Sequence, residues 1–287
     1  MSILGIDLGG TNVRVGRVKN DSIEKIATTK ITSDGTEEII LNEICQTIDN
    51  VIQTDVKGIG VGVPSVIDIK NGIVYDVQNI PSWKEVHLKE YLEKKYNIPT
   101  YINNDANCFA VGEKYFGKAK EYENVVGLII GTGLGAGLIL NNKLYSGQNC
   151  GAGEFGMITF KEHNYEYYCS GQFFSLGHSI KGTILYEMAK RSESKALQIF
   201  SEFGSNLGEA IKLILYSIDP QMIVLGGSLS KSFAFFKESM WKSVNKFEYK
   251  RSLDNLKIEC TEVKDIAVLG AAALYFDAQK KNLNDRR

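Results

Sequence analysis

One structural device occurs twice in this chain: a short apolar strand, a tight glycine turn and a returning strand. Ile3 to Asp7 is predicted to form the first buried strand and Val13 to Val18 its partner, with Gly9-Gly10-Thr11 between them. The pattern recurs from Val125 to Leu140, around Gly131-Thr132-Gly133. A glycine turn lets backbone N–H groups approach phosphate oxygens without an intervening Cβ. The repetition therefore indicates internal duplication and two candidate phosphate-binding turns.

Composition sets the class of protein. The 287 residues, 44% hydrophobic and 23% charged, can bury one large or two modest cores. A net charge of -1 gives no general attraction to nucleic acid or to an anionic membrane, so we expect neither as a partner. No basic leader or long apolar segment is present, which predicts a cytoplasmic protein. Five scattered cysteines indicate reduced, buried thiols rather than a disulfide framework.

The remaining patterns predict an α/β fold. Helical periodicity runs from Ile40 to Ile52, and Gly58 to Val63 is typical of a buried parallel strand. The second half is predicted to be mostly helical from about Phe173 to Ser217, followed by a strand from Met222 to Leu225, the pair Gly226-Gly227, and a last helix from Ala267 to about Lys280. No Ser/Gly/Pro-rich linker separates the halves, so any two domains are expected to be closely hinged.

Asn104 and Asp105 stand at a predicted junction, between a strand that ends near Asn103 and a helix that runs to about Tyr115. Open α/β sheets bind ligands at such carboxyl ends of strands. Asp7 ends the first strand just before its glycine turn, where a carboxylate can hold hydrated Mg²⁺ and Thr11 can donate to phosphate.

Two more specific nucleotide-binding motifs are excluded. Residues 131–136 satisfy the G-x-G-x-x-G/A spacing, but a strand-like segment follows where a dinucleotide site needs a helix. No G-x-x-x-x-G-K-[ST] segment occurs, which excludes a P-loop. The simplest alternative is that the glycines only satisfy tight turns.

Taken together, the motifs resemble the ROK family of bacterial sugar kinases and repressors, within the hexokinase–actin–Hsp70 superfamily. The resemblance covers essentially the whole chain and rests on residues 7–12, 62–64, 79–83, 103–107, 131–137 and 151–156. It implies a two-lobed, actin-like ATPase (ribonuclease H-like) fold. We expect a small N-terminal lobe of residues 1–116 with the C-terminal helix at about 268–287, a larger lobe of residues 117–267, and an active-site cleft between them.

The resemblance also implies MgATP-dependent phosphorylation of a sugar 6-hydroxyl. It assigns Asp105 as catalytic base, Asn104 as a hydrogen-bond partner of the sugar, and Glu154 as the acceptor of ring hydroxyls, with Ser65 and Asn79 as further contacts. ATP and Mg²⁺ are assigned to Asp7, Gly9, Gly10, Thr11, Asn12, Gly131, Thr132, Gly133, Gly135, Gly226 and Gly227. The competing interpretations are a helix N-cap for Asp105, a surface loop for Glu154 and simple packing for Trp83.

The chain departs from the family pattern where most relatives bind zinc. Met157 replaces the usual His, and a C-x-C-G-x-x-G-C-x-E cluster aligned on Gly171 would have Tyr168, Ser170, Ser175 and Gly177 at its ligand and Glu positions. The spacing of His163, Cys169 and His178 matches no common zinc site, so we expect no structural zinc. Packing of Tyr167, Tyr168, Phe173 and Phe174 is the expected replacement. Loss of that His and of the final Glu of the cluster also removes two of the family's sugar contacts.

The preferred substrate is N-acetylmannosamine, which would place the protein in sialic acid catabolism, with glucose and N-acetylglucosamine as alternatives. A ROK repressor is the rival of another class. It is disfavoured because the first glycine motif begins at residue 7, with no preceding winged helix-turn-helix. An inactive sugar-binding module is disfavoured by the retention of Asp7 and Asp105. A homodimer is expected by analogy with relatives.

Overall fold

The structure is a computed structural model that describes residues 1–77, 79–148 and 150–284. In chain order its strands are β1 (Ser2–Leu8), β2 (Asn12–Lys19), β3 (Ser22–Lys30), β4 (Val56–Val63), β5 (Val66–Asp68), β6 (Ile73–Tyr75), β7 (Glu85–Val86), β8 (Thr100–Asn104), β9 (Val125–Ile130), β10 (Leu134–Leu140), β11 (Lys143–Tyr145), β12 (Thr159–Phe160), β13 (His163–Asn164), β14 (Met222–Gly226) and β15 (Lys257–Cys260).

The α-helices are α1 (Glu37–Asp49), α2 (Leu88–Tyr96), α3 (Asp105–Phe116), α4 (Tyr165–Cys169), α5 (Gly182–Lys190), α6 (Ser194–Ile218), α7 (Phe233–Val244) and α8 (Ile266–Asn284). A π-helical turn covers Phe173–Gly177, and 3₁₀ turns cover Phe155–Met157, Ser228–Ser232 and Lys250–Leu253. The predicted hairpins and the α/β class are confirmed. The predicted helical stretch after Phe173 is divided into the π-helical turn, α5 and α6.

The chain forms two compact units. The first contains Met1–Glu121, Gly137–Ala152 and the residues from Glu262 onward, and the second contains Tyr122–Ala136 and Gly153–Thr261. The first unit is therefore the larger, whereas the sequence interpretation gave it the smaller share and divided the chain near Gly117. The last three residues of the predicted C-terminal helix lie outside the described residues.

The segment Gly137–Ala152 accounts for much of that difference, because it is bonded into the first unit. Lys114 Nζ donates to Asn142 Oδ1 at 2.8 Å, and Asn103 Nδ2 donates to Ser146 Oγ at 3.2 Å. A side chain at Gly137 would lie 2.3 Å from the Ala106 carbonyl oxygen, so this segment runs directly against α3. These contacts place it outside the predicted second lobe.

Each unit is built on a sheet that begins with a glycine hairpin. In the first unit the strand order is β3-β2-β1-β4-β8, with β1, β2 and β3 antiparallel and β4 and β8 parallel to β1. In the second unit β10 and β9 are followed by β14 and β15, both parallel to β9. The end of β10, which belongs to the first unit, pairs with β11. Parallel strands of this kind bring their carboxyl ends to one edge of a sheet.

Helix α8 covers the first sheet at very short range. A Cβ added to Gly60 on β4 would lie 1.8 Å from the carbonyl oxygen of Ala271, and one added to Gly5 on β1 would lie 1.9 Å from that of Val268. Glycine at these positions is therefore required by the close approach of the helix. The same helix packs along α3, which carries Asp105.

Apolar faces close the two cores. In the first unit, Ile40, Ile44 and Ile48 of α1 are fully buried in the cluster that also contains Trp83, so the packing interpretation of Trp83 is confirmed. In the second unit, Phe203 of α6 meets Phe236 of α7 with ring centroids 5.2 Å apart. Burial contributes about 1.5–3 kcal/mol for each such side chain.

The five cysteines are free thiols, and all except the partly exposed Cys260 are buried. Within residues 1–77, 79–148 and 150–284, no helix has the length and apolarity needed to cross a bilayer.

Candidate active site

The first sheet brings two carboxylates to the same edge. Asp7 lies one residue before the end of β1, and Asp105 directly follows β8 as the first residue of α3. Strand β4 lies between β1 and β8 and is parallel to both, so both side chains lie at the carboxyl ends of parallel strands of one sheet. They are near enough that the charge of Asp105 raises the pKa of Asp7. The structure therefore joins two residues that are 98 positions apart in sequence.

The start of α3 is capped by Asn104 rather than by Asp105. The Asn104 side chain accepts a hydrogen bond from the backbone N–H of Asn107 at 2.8 Å. Asn103 Oδ1 in turn accepts from the backbone N–H of Asn104 at 2.9 Å and from Asn107 Nδ2 at 2.8 Å. Because Asn104 Oδ1 is used by the cap, Nδ2 is the group of that side chain that can donate to a ligand.

Asp105 is left with a reactive carboxylate. Its Oδ1 accepts from the backbone N–H of Ala106 at 2.9 Å, and its side chain reaches solvent. Protein atoms nevertheless surround it on most sides. This partial burial raises the pKa of Asp105 above its ordinary value, and the Ala106 hydrogen bond offsets only part of the rise.

Asp7 is held beside a cation. Arg14 Nη1 lies 3.9 Å from Asp7 Oδ2, and Arg14 Nη2 forms a close ion pair with Asp265 Oδ1. Burial raises the pKa of Asp7, Arg14 lowers it and Asp105 raises it, in that order of size, and the net direction is upward. Arg14 and Asp265 were not among the predicted site residues, although Arg14 stands only three residues after the glycine turn.

The first glycine turn is closed by a hydrogen bond from Gly9 N to Asn12 O at 2.9 Å, with Thr11 and Asn12 exposed. A side chain at Gly10 would lie 2.3 Å from Asn79 Cβ, so the structure places the predicted sugar contact Asn79 against this turn. Ser65 donates its hydroxyl hydrogen to the carbonyl oxygen of Tyr75 in a very short hydrogen bond. That hydroxyl is therefore partly committed to the β5–β6 hairpin.

The second glycine turn is braced by Glu166 of α4, a residue that the sequence interpretation missed. Glu166 Oε2 accepts from the backbone N–H of Leu134 at 3.0 Å, and Oε1 accepts from Gln172 Nε2 at 2.9 Å. Gly171 N donates to Gly131 O at 2.7 Å. A side chain at Gly133 would lie 2.6 Å from Glu166 Oε2, so this glycine is needed for the brace.

Beside this turn the second unit contains a cavity of about 700 Å³. Its walls combine glycines, hydroxyl side chains, two lysines and a tyrosine: Gly131, Thr132, Gly171, Gln172, Ser175, Lys181, Gly182, Thr183, Tyr186, Glu187, Ser228, Leu229, Lys231 and Ser232. Of the predicted ligand-binding glycines, Gly131 lines the cavity, whereas Gly133, Gly135, Gly226 and Gly227 do not. The sequence interpretation did not identify the cavity wall around α5. Gly182, the first residue of that helix, was the sequence signal for it.

Two glycines beside the cavity differ in what they are needed for. Gly227 has φ +84° and its Cβ would lie 2.4 Å from the carbonyl oxygen of Ile130, so the fold itself requires glycine there. At Gly131 the nearest atom to an added Cβ is Ser228 Oγ, at 3.9 Å. The protein leaves this space open, and a ligand can approach the Gly131 backbone closely.

Glu154 belongs to the second unit, where it precedes the 3₁₀ turn Phe155–Met157 and is exposed. Its carbonyl oxygen accepts from Met157 N at 3.2 Å. Gly153 has φ +95° and lies against the carbonyl oxygen of Ala136, which fixes the backbone entering the turn. Met157, which we expect to stand where most relatives have histidine, is 54% exposed.

Aromatic rings pack the segment in which we expect no zinc site. The His163 and Tyr167 rings stack with centroids 4.1 Å apart, and Phe173 meets His178 edge to face at 4.8 Å. Cys169 is fully buried, and burial raises the pKa of its thiol. In the described part of the chain no three His, Cys, Asp or Glu side chains converge as metal ligands. The absence of structural zinc stays a prediction.

Comparison with known proteins identifies the family to which the chain belongs. Residues 3–278 match the sequence profile of the ROK family. A ROK glucokinase from Streptomyces griseus, solved with glucose and AMPPNP, is 25% identical and aligns over 96% of this chain and 99% of its own, with a TM-score of 0.78. A proposed N-acetylmannosamine kinase from Listeria monocytogenes is 26% identical over 98% of this chain and 100% of its own, with a TM-score of 0.80. A xylose repressor from Caldicellulosiruptor bescii is 28% identical over 95% of this chain and 77% of its own.

These similarities span nearly the whole chain and agree with the fold that the family resemblance implies. The chain belongs to the ROK family and has its actin-like ATPase fold.

Proposed function

We propose that this ROK protein is a kinase that transfers the γ-phosphoryl group of ATP to the 6-hydroxyl of a hexose or N-acetylhexosamine. The observation that carries the proposal is the state of Asp105. Because Asn104 caps α3, the Asp105 carboxylate is not used to start the helix. A carboxylate fixed in a first helical turn, open to solvent and with a raised pKa is suited to accept a hydroxyl proton.

The second unit supports the use of a nucleotide. The glycine-lined cavity contains free space at Gly131, and Lys181 and Lys231 supply positive charge for phosphate while Tyr186 offers an aromatic face. We propose that Gly131 and Thr132 hold the phosphates and that Asp7 holds hydrated Mg²⁺. ATP, when bound, supplies the phosphoryl group, and Mg²⁺ screens its negative charge.

The chain's own residues position and deprotonate the sugar. Asp105 accepts the proton of the 6-hydroxyl, and Asn104 Nδ2 donates to a neighbouring hydroxyl. Glu154 accepts hydrogen bonds from ring hydroxyls in the plane of its carboxylate. Arg14 opposes the rise in the pKa of Asp7 and so helps to keep that carboxylate ionised for the metal.

N-acetylmannosamine is the proposed substrate, and glucose and N-acetylglucosamine are the alternatives. The similarity to the proposed N-acetylmannosamine kinase of Listeria monocytogenes supports the first choice, and that to the Streptomyces griseus glucokinase supports the second. The resemblance implies that Met157 and Gly177 stand where relatives have a histidine and a glutamate, so we propose that two sugar contacts differ from the common pattern. We further propose a cytoplasmic homodimer, by analogy with relatives.

The test is an ADP-release assay with MgATP and each of N-acetylmannosamine, N-acetylglucosamine, glucose, mannose, fructose and allose. We expect turnover of at least one sugar. Asp105→Asn is expected to lower kcat by about 10²–10⁴-fold, the range for loss of general acid–base catalysis, while calorimetry shows sugar binding within a few-fold of wild type. Asp254→Asn, at an exposed position outside the site, is the control and should leave kcat unchanged.

Two results would contradict the proposal. If Asp105→Asn keeps its kcat within a few-fold of wild type, Asp105 is not the base. If no sugar is phosphorylated while one of them raises the Tm of the wild-type protein, the chain is a sugar sensor rather than a kinase, as the similarity to the xylose repressor allows.

A further inference from the structure

Besides the cavity in the second unit, the structure contains a cavity of about 940 Å³ in the first unit. The proposed hexose site does not use it. One wall is the β5–β6 hairpin, with Val66, Asp68 and Tyr75. The other is β11 and the residues after it, with Tyr145 and Ser146. None of Ser65, Asn79, Asn104 or Asp105 lines it. Its volume lies at the upper end of the range for small-molecule sites, and one hexose ring would leave most of it empty.

The cavity adjoins the proposed hexose-binding residues at two points. Asn103 lines it and precedes Asp105 by two residues, a distance of about 7 Å along an extended chain. Ser65, a proposed sugar contact, donates its hydroxyl to the carbonyl oxygen of the lining residue Tyr75. A ligand that has one end at Asp105 can therefore extend into this cavity from the same edge of the sheet.

The walls offer apolar faces that no part of the described chain covers. Tyr145 is 52% exposed and Val66 is 60% exposed, although both are large apolar side chains next to a concave surface. Sugar rings present C–H faces that pack on aromatic and aliphatic side chains. Tyr75, on the hairpin wall, adds a second aromatic ring.

The polar groups of the cavity suit hydroxyls better than phosphate. Asp68 and Lys70 are its two charged side chains, and their charges cancel. Asp68 is a fixed acceptor, because the backbone N–H and the side chain of Asn71 hold its oxygens at 3.1 and 2.7 Å. Ser146 Oγ accepts from Asn103 Nδ2, which leaves its own hydrogen to donate. Gln148 adds both a donor and an acceptor.

We propose that this cavity is a subsite for a second sugar ring, so that the protein accepts a neutral disaccharide whose terminal hexose lies at Asp105. The inference rests on the proposed kinase function and deepens its substrate class. In the reaction, the disaccharide 6-oxygen forms a bond to the γ-phosphorus as the bond to the β,γ-bridging oxygen breaks. ADP leaves, and the hydroxyl proton passes to Asp105 and then to solvent.

The experiment compares kcat/KM for glucose and N-acetylglucosamine with kcat/KM for cellobiose, maltose, lactose and chitobiose. One disaccharide is expected to have a KM about tenfold below that of its monosaccharide, as expected for one additional ring contact. Tyr145→Ala and Val66→Asp should raise that KM about tenfold and abolish the preference for the disaccharide. Tyr249→Ala, at a tyrosine that is 61% exposed in the second unit, is the matched control and should change neither KM.

The outcomes separate this inference from the kinase proposal. Turnover of monosaccharides with no turnover or binding of any disaccharide overturns the subsite and leaves the kinase standing. Equal effects of Tyr145→Ala on both substrate classes also overturn it. If no sugar is phosphorylated, the kinase proposal fails, and calorimetry with the same disaccharides decides the subsite. Binding that Tyr145→Ala weakens supports it, and no binding overturns it.

Discussion

The two sheets of this protein have matching strand positions but carry different chemistry. In the first unit Asp7 on β1 pairs with Gly62 on β4, and in the second unit Ile129 on β9 pairs with Gly226 on β14. Both Asp7 and Ile129 stand one residue before the end of a strand that enters a glycine turn. A glycine lies opposite in each case. The same position is a carboxylate in one unit and an apolar side chain in the other.

The turns differ in the same way. A side chain at Gly10 in the first turn would run into Asn79, whereas Gly131 in the second turn borders open space and a cavity. In the proposed function, the first unit uses its hairpin to present charged side chains. In the same proposal, the second unit uses its hairpin to present backbone to a ligand. The two units thus share a strand arrangement around the turn and differ in a few side chains.

The largest expected effect tests this difference between the two units directly. Asp7→Asn keeps the shape of the side chain but removes the charge proposed to hold Mg²⁺, so kcat is expected to fall about 100-fold or more. Ile129→Val, the conservative change at the matching position of the second unit, should leave kcat within about threefold of wild type and cost only about 0.5–1.5 kcal/mol in the free energy of unfolding. Steady-state kinetics with varied Mg²⁺ measures the first effect. Comparable losses of kcat in both variants would contradict the assignment of Asp7.

A smaller effect separates the glycines needed for folding from those needed for ligand. Gly227→Ala introduces a Cβ at φ +84° and 2.4 Å from a carbonyl oxygen, which should lower the free energy of unfolding by about 1–3 kcal/mol. Gly131→Ala meets no atom within 3.9 Å, so we expect unchanged stability but a raised KM for ATP. Urea unfolding and the KM for ATP distinguish the two. A stable Gly227→Ala, or an unaltered KM in Gly131→Ala, would show that the glycines are not divided in this way.

The smallest effect concerns stability and pH. Burial raises the pKa of Asp105 in the folded state, so the folded protein binds the proton more tightly than the unfolded chain does. Stability should therefore decline as pH rises through the folded pKa and stay lower above it. Asp105→Asn removes this cost and is expected to raise Tm by a few degrees at neutral pH, with the gain vanishing toward about pH 4. Thermal unfolding from about pH 4 to pH 8 tests this, and a lower Tm at neutral pH would contradict it.

Much of the fold was readable from short-range pattern. The strands around both glycine turns, the helix from Asp105 and the last helix follow from apolar periodicity and from glycine in tight turns. The division into units did not, because it depends on pairings distant in sequence. Lys114 with Asn142 and Gly5 with Val268 are examples. Periodicity reports which face of an element is buried, but not which element covers it.

The candidate site shows the same limit. Asp7, Asn104 and Asp105 stand in local motifs that could be found directly. Glu166 accepts from the second turn and Arg14 lies beside Asp7, both through contacts between elements, and neither residue belongs to one of the sequence motifs. The sequence interpretation considered a helix N-cap for Asp105 only, although Asn and Asp both favour helix N-termini. The hydrogen bond from Asn107 N shows that Asn104 is the cap.

Helix α8 has a consequence for the order in which the chain can fold during synthesis. Its residues cover Gly5 and Gly60 of the first sheet, yet they leave the ribosome after every residue of the second unit. The second unit can therefore complete its core first. Until α8 is synthesised, the sheet face that contains β1 and β4 stays uncovered. Nascent chains lacking α8 are expected to expose that face, and chaperones bind surfaces of this kind.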